Sequence, residues 1–468
     1  MAAQGHQQQT QEAATPHQIN ISPSNTGLWG TPRSSLHPST YTGPVIPSQT
    51  PEASTLLSSL LQDDMHNHHV FFNTSGFHNH IPHHLLALYG TSAPPSSLQK
   101  AYDVNATYQR PVLPSHQSVV SDLIQNWSKD AKKYLGKEEH YPDFLAFFKR
   151  EIDLREGRYE EVVNEYLFKG TKEADDLLVR LYSGFLHPLI QLMYGLEWKQ
   201  PAIVAEGLAQ AAVHGDDIGV YLLGAEEEAR KNEEAEVGWT VLGLLDEVRG
   251  NEKLKNAPRM EDGNKIRDGV LKRAREEAVK LAGKVRIKRD EEELQKRTAE
   301  MYDSAVFMAS AAALVKRETK MPRYDFFLMH HVTSAPFFTT VNAQDWISLD
   351  TKVRLLEWKI RMDLVQYAAR GAPELSLEAI TSYQPKQKTN SETPEEIIAS
   401  NLHFFEDDGH SIKLARAARV CQLYYQTRDD EYWNKIYHLI VDSVLAPGPN
   451  WVRSCGFDEA WEEVPNVE

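Results

Sequence analysis

Apolar residues recur at three- and four-residue spacing along most of this chain, with polar residues between them. That is the period of an α-helix with one buried face. Leu56, Leu57, Leu60 and Leu61 form one such stripe in "EASTLLSSLLQDDMHNHH". "SVVSDLIQNWSKDAKKYL" starts at Ser118, a residue type that caps helix N-termini. "YPDFLAFFKREIDLRE" carries Pro142 where a first helical turn tolerates it. "YEEVVNEYLFKG" stops at Gly170, and "QPAIVAEGLAQAAVHG" runs from a proline start to a glycine stop. "ADDLLVRLYSGFLHPLIQLMYGLEW" is a long apolar stretch with a predicted break before Pro188. "RTAEMYDSAVFMASAAALVKRE", "TKVRLLEWKIRMDLVQYAARG" and "GHSIKLARAARVCQLYYQ" are helical in the same way. Alternating runs and hairpin signatures are missing. The predicted fold is therefore all-α: a large, single-domain, multi-helix bundle over 53–468.

Two segments depart from the pattern. Residues 1–52 are rich in Gln, Ser, Thr and Pro, and cannot bury enough apolar surface to offset their ordering entropy. They are expected to form a disordered tail, in which "GLWGTP" (Gly27 to Pro32) can dock as a local arm. Residues 250–297 are heavily charged with both signs, which predicts a solvated helical insertion.

Composition narrows the function classes. Of 468 residues, 41% are hydrophobic and 25% charged, as in ordinary globular proteins. A formal net charge of -16 argues against nonspecific binding to nucleic acid or anionic membrane. The longest nearly unbroken apolar run, Ala305 to Val315, falls short of the ~20 residues that a bilayer demands. The first residues carry no basic and apolar leader, so a cytoplasmic location is expected. Two cysteines, Cys421 and Cys455, exclude a disulfide framework and a cysteine-based metal site. There is no glycine-rich nucleotide loop, no G-x-S-x-G elbow and no H-E-x-x-H. Adjacent acids such as Asp63/Asp64, Asp216/Asp217 and Asp407/Asp408 suit solvation and helix capping better than glycoside hydrolysis.

Histidine is the unusual residue. There are 19, seven of them between His66 and His84. Density alone says little; histidines set in apolar helical segments say more, because an unpaired ring nitrogen there costs free energy. Four places qualify: His80 with His83 and His84 in "FHNHIPHHLLALYG", His187 in "SGFLHPLIQLMYG", His330 and His331 in "DFFLMHHVTSAPFF", and His410 in "EDDGHSIKLARA". Any one alone reads as a hydrogen-bonded core histidine. Four in one helical domain point to a shared metal site projecting inward from several helices. Nitrogen ligation suits iron, copper, zinc or nickel. Lys359 abuts the apolar stripe of Leu355, Trp358, Met362 and Val365. Exposed, it would snorkel into water. Buried and neutral, its amine would add carbon dioxide and become an anionic oxygen ligand.

The blocks "FFNTSGFHNHIPHHLLALYG", "FLHPLIQLMYGLEW", "YDFFLMHHVTSAPFF", "LLEWKIRMDLVQYAARGAPEL" and "DDGHSIKLARA" together resemble the questin oxidase family of fungal secondary metabolism, over about residues 60 to 445. The resemblance implies dioxygen-dependent cleavage of a polycyclic aromatic polyketide such as an anthraquinone. It implies Fe(II) held by His80, His187, His330, His410 and a carboxylated Lys359. His330 is preferred to His331. His84, with His83, is expected to face substrate or back the ligands, and Lys359 and His84 are the candidate catalytic residues. Asn79, Asp325 and Asp407 are expected to orient the ligand rings, and Phe77, Tyr194, Phe327, Met329 and Trp358 to wall a flat pocket. Members are described as Baeyer–Villiger-type oxidases, which keeps open an NADPH-dependent enzyme without metal, its histidines acting as acids and bases. A helical interaction scaffold, whose charged insertion binds a partner, is the alternative outside enzymology.

Overall fold

A computed structural model describes residues 17–22, 43–231, 238–386 and 393–467. Helices carry the fold, and no strand occurs among the described residues beyond four isolated bridges. The helices begin where side chains satisfy their first amides. Thr50 caps Pro51–Asn67, Thr171 caps Lys172–Leu181, Ser348 caps Leu349–Ala369, and Asp325 caps Phe326–Thr333.

Amphipathic helices lie outside and apolar ones inside. His187–Glu197 is buried at all its positions, and Pro201–Val213 at all but its first. A helix buried on every side belongs at the centre, and these two pack against each other. Ile81–Gly90, equally buried, packs against His187–Glu197 and against His410–Tyr425. The latter contacts Phe326–Thr333, which rests on Glu291–Ala312 and Leu349–Ala369. One cluster of buried apolar side chains runs from Ile19 to Val464. No helix is long and apolar enough to cross a membrane among the described residues.

The expected break before Pro188 is present. Lys172–Leu181 ends, and the chain turns through Gly184, Phe185 and Leu186, all at positive φ, before His187 opens the next helix. The tail differs from expectation where it is described. Residues 17–22 lie along Pro51–Asn67: the Ile19 and Ile21 amides donate to Gln62 and Ser58, and both side chains are buried. Near its end, the Gly43 carbonyl accepts the Arg416 guanidinium. "GLWGTP" lies outside the described residues.

Residues 250–297 are also no appended insertion. They fold into short helices and connecting turns, and their Leu254, Val270, Leu271, Leu281, Val285 and Ile287 enter the common core. High charge hid this because the apolar residues are spaced over several short turns rather than one long stripe.

Candidate metal centre

Three helix starts place three histidines. His80 is the N-cap of Ile81–Gly90, His187 the first residue of His187–Glu197, and His410 the first residue of His410–Tyr425. His330 stands mid-way along Phe326–Thr333. Two glycines make the close approach possible. A Cβ on Gly184 would lie 2.2 Å from His214 Nε2, and one on Gly409 2.6 Å from His84. Phe185 and Leu186, at φ 54° and 67°, hold a conformation that costs ~1–2 kcal/mol each for an L-residue. Strain of that size persists where surrounding packing enforces it; here it turns His187 inward.

The four rings close a circuit. Centroids are 5.0 Å apart for His80–His187, 4.8 Å for His187–His330, 5.0 Å for His330–His410 and 4.6 Å for His410–His80. All four are buried. Each Nδ1 is committed outward. His80 Nδ1 donates to Asp408 at 2.9 Å, and His410 Nδ1 to the other oxygen of the same carboxylate. His187 Nδ1 donates to the Gly184 carbonyl at 2.7 Å and His330 Nδ1 to the Phe326 carbonyl at 2.5 Å. The Nε2 atoms are not used in this way. Among the described residues those of His330 and His410 have no partner, and those of His80 and His187 meet each other at 2.8 Å.

That pattern fits a metal ion. A histidine ligand typically donates its other N–H to a carboxylate or carbonyl, fixing tautomer and orientation. Two nitrogens ~2.0–2.1 Å from one ion at a right angle lie about 2.9 Å apart, close to the His80–His187 spacing. Nitrogens of His80, His187 and His410 all lie within 4.8 Å of one another. Burial keeps the rings neutral: it drives His80 down to about 3, pulls His187 and His330 well below the usual imidazole value, and lowers His410. Burial opposes the Asp408 charge, but His410 and His80 beside it outweigh that, and its carboxyl sits well below its ordinary value.

Three groups here escaped the sequence reasoning. Lys413, one turn after His410, is buried, and burial lowers its amine to about 8 against the pull of Asp408 and Asp407. Its charge acts on His80, His83, His187, His330 and His410 together. The i, i+3 spacing from His410 was the available signal. His78 lies flat on His187, with centroids 4.0 Å apart, and its Nε2 is 2.9 Å from that of His214.

Two other polar groupings stand apart from the four histidines. His116 and His140 both turn Nδ1 to Asp143, at 3.1 and 2.8 Å. A cavity of about 780 Å³ lies among Arg289, Arg297 and Arg354, away from the four histidines. Its arginines are paired with Glu357, Glu293 and Glu226 at 2.9, 2.7 and 2.6 Å.

A sequence model of the family described as questin oxidase-like matches residues 77–418. The chain is 37% identical over 446 residues to a Baeyer-Villiger monooxygenase of Cryptosporiopsis sp., covering 92% of this chain and 97% of that protein. It is 36% identical over 426 residues to a Baeyer-Villiger oxidase of Pestalotiopsis fici, covering 88% and 93%. To a questin oxidase of Aspergillus fumigatus it is 35% identical over 427 residues, covering 87% and 93%. The chain belongs to the questin oxidase-like family.

Within this questin oxidase-like fold, some expected roles fall elsewhere. Lys359 is fully buried, but its Nζ pairs with Asp363 at 2.5 Å and touches the Met301 sulfur at 3.6 Å. The same Asp363 oxygen takes His331 Nδ1 at 2.5 Å. Burial lowers the Lys359 amine and Asp363 raises it. A carbamate there would set a second anion against a buried carboxylate, which low dielectric penalises. The lysine brought to the four histidines is Lys413.

His84 Nδ1 bonds Asn105 Oδ1 at 2.8 Å and its ring backs Gly409, so it supports the loop behind His410. His83 is tied to Gln191 at 2.6 Å. Asn79 caps Ile81 and bonds Asp64, Asp407 caps Gly409 and Ser411, and Asp325 accepts four backbone amides. Ring orientation falls to Asp408 and two carbonyls instead. Among the expected wall residues, Phe327 meets Phe185 and Tyr194 stacks on His83, whereas Trp358 bonds Glu226 on another face and Met329 is core.

Proposed function

We propose that this chain is an oxidoreductase that uses dioxygen to cleave a ring of a polycyclic aromatic polyketide, with Fe(II) held by His80, His187, His330 and His410. One observation carries the reading: the nitrogens of three buried imidazoles, His80, His187 and His410, gather within 4.8 Å of one another, the His330 ring lies against His187 and His410, and a carboxylate and two carbonyls fix every Nδ1. Family relatives named questin oxidase and Baeyer-Villiger oxidase support oxidative chemistry on such a substrate.

Lys413 is the lysine suited to supply an anionic ligand. Its amine is buried and shifted to about 8, so a usable fraction is neutral near pH 7. Addition to carbon dioxide forms an N–C bond, releases one proton and leaves a carbamate. The released proton leaves to solvent, and the charges of Asp408 and Asp407 act on this amine. A bound ferrous ion supplies the one-electron chemistry that lets dioxygen react with a closed-shell organic molecule. The chain's own share is to hold protons on the outer nitrogens, to exclude water by burying all four rings, and to offer aromatic faces. Phe326 supplies one such face, edge-on to His330 and His410 at 4.8 and 5.1 Å.

A second reading follows from the relatives' Baeyer-Villiger names: a metal-free oxidase in which the histidines move protons and NADPH supplies electrons. Metal content separates the two. After anaerobic Fe(II) loading, wild type should hold about one iron, and His187→Ala and His330→Ala should not. Dioxygen uptake with a hydroxyanthraquinone should follow iron content and need no NADPH. Full turnover by iron-free protein with NADPH would decide for the second reading. Labelled carbon dioxide should give a carbamate carbon signal in wild type that Lys413→Met lacks.

A further inference from the structure

The chain returns to the histidines after the stretch that the family sequence model matches, which ends at residue 418. Trp451 stands edge-on to His410, with centroids 6.0 Å apart. The Arg453 guanidinium lies 4.9 Å over the Phe326 ring and 6.0 Å over Phe77. Phe326 in turn borders His330 and His410. One aromatic ring thus separates an arginine from two of the four histidines.

This arginine is unlike most others in the protein. It is exposed, and no ion pair or hydrogen bond engages it among the described residues. Arg354, Arg419 and Arg428 each hold a carboxylate. Stacking uses the flat face of a guanidinium and leaves its N–H edge free for an anion. The position is also fixed. The Val452 amide donates to the Tyr324 carbonyl at 3.1 Å, and the Phe326 amide to the Val452 carbonyl at 2.8 Å. One Asp325 oxygen receives the Ser454 and Cys455 amides at 2.6 and 2.8 Å. An arginine held this way beside Phe326 and Trp451 is placed to meet an oxygen on a flat molecule.

We propose that Arg453 binds an ionised phenolic oxygen of the aromatic substrate and, with Phe326 and Trp451, orients its ring beside the histidine site. This rests on the aromatic-substrate reading above and adds the recognition element: the ligand class is a hydroxylated polycyclic aromatic whose phenolate faces the 451–455 segment. Arg453 is a binding residue, not a metal ligand.

The test titrates iron-loaded wild type, Arg453→Gln and Arg453→Lys with 1,8-dihydroxyanthraquinone and with its dimethyl ether. Visible absorbance, which moves to longer wavelength when the phenol ionises, is followed throughout. Wild type should bind the dihydroxy compound in its ionised form. Arg453→Gln should weaken that binding about 10- to 100-fold, the loss of one charge-assisted hydrogen bond. Arg453→Lys should recover part of it. The dimethyl ether should bind wild type and Arg453→Gln alike, and iron content should match in all three. Equal binding of the dihydroxy compound by wild type and Arg453→Gln would overturn the proposal and leave the iron reading intact. An equal loss for the dimethyl ether would overturn it too, since the effect would then be packing. Failure of wild type to bind either compound would sink the aromatic-substrate reading together with it.

Discussion

His330 and His331 are neighbours on one helical turn, yet they belong to opposite kinds of buried polar cluster. His330 joins His80, His187 and His410, whose outer nitrogens are satisfied and whose inner ones are not. His331 joins Lys359 around one oxygen of Asp363, where the ion pair has its partners inside the cluster. The first arrangement leaves lone pairs available to a guest. The second pairs its charges around one Asp363 oxygen and leaves only the other, Oδ2, without a partner among the described residues. Burial is equally deep in both, so burial alone does not mark a binding site. What marks it is the gathering of ring nitrogens from several helices within a few ångströms.

The largest contrast should come from breaking each cluster in turn. His410→Ala and His187→Ala should bring bound metal to background by elemental analysis, with far-ultraviolet circular dichroism still helical. Lys359→Met should do the reverse. It strands the Asp363 carboxylate, which should cost about 3–5 kcal/mol in urea unfolding, while the folded fraction keeps its metal. If Lys359→Met loses metal at unchanged stability, the assignment of the two lysines is inverted. Lys413→Met should lower metal content with little loss of stability, because an apolar side chain of similar size replaces a buried amine.

Asp408→Asn should act more gently. It weakens the hold on His80 and His410 without removing a ligand, and metal affinity should fall about 10- to 100-fold in chelator competition. The smallest effect is one of pH, at rings outside the circuit. Burial drives His214 and His403 down to about 4 from 6.5. Below 6.5 the unfolded chain binds protons that these rings refuse, so their contribution is full above 6.5 and is lost as pH falls toward 4. Urea midpoints measured at pH 7.5, 5.5 and 4.5 should fall in that order, and His403→Gln should flatten the slope.

Much of this was legible in the amino-acid pattern. Helical periodicity gave the fold class, and the histidines set among apolar residues are the ones that converge. Lysine was harder. Lys359 and Lys413 both sit in helices whose polar residues are buried along with the apolar ones, as with Arg361, Asp363 and Arg416. When a helix is surrounded, its sequence no longer shows which side faces what, so an apolar flank could not tell the two lysines apart. Trp451 and Arg453 were invisible for another reason. They lie in a short irregular segment with no period, and only the backbone bridge to Asp325 brings that segment home.

Asp325 has a practical consequence for redesign. One of its oxygens starts the helix bearing His330, and the other fastens the segment bearing Arg453, a stretch more than a hundred positions further along. The helix bearing His330 and the segment bearing Arg453 are thus keyed to one residue. Segments exchanged between relatives to alter substrate preference should therefore travel as a pair, 323–327 with 450–456. A graft of either alone would arrive without its latch.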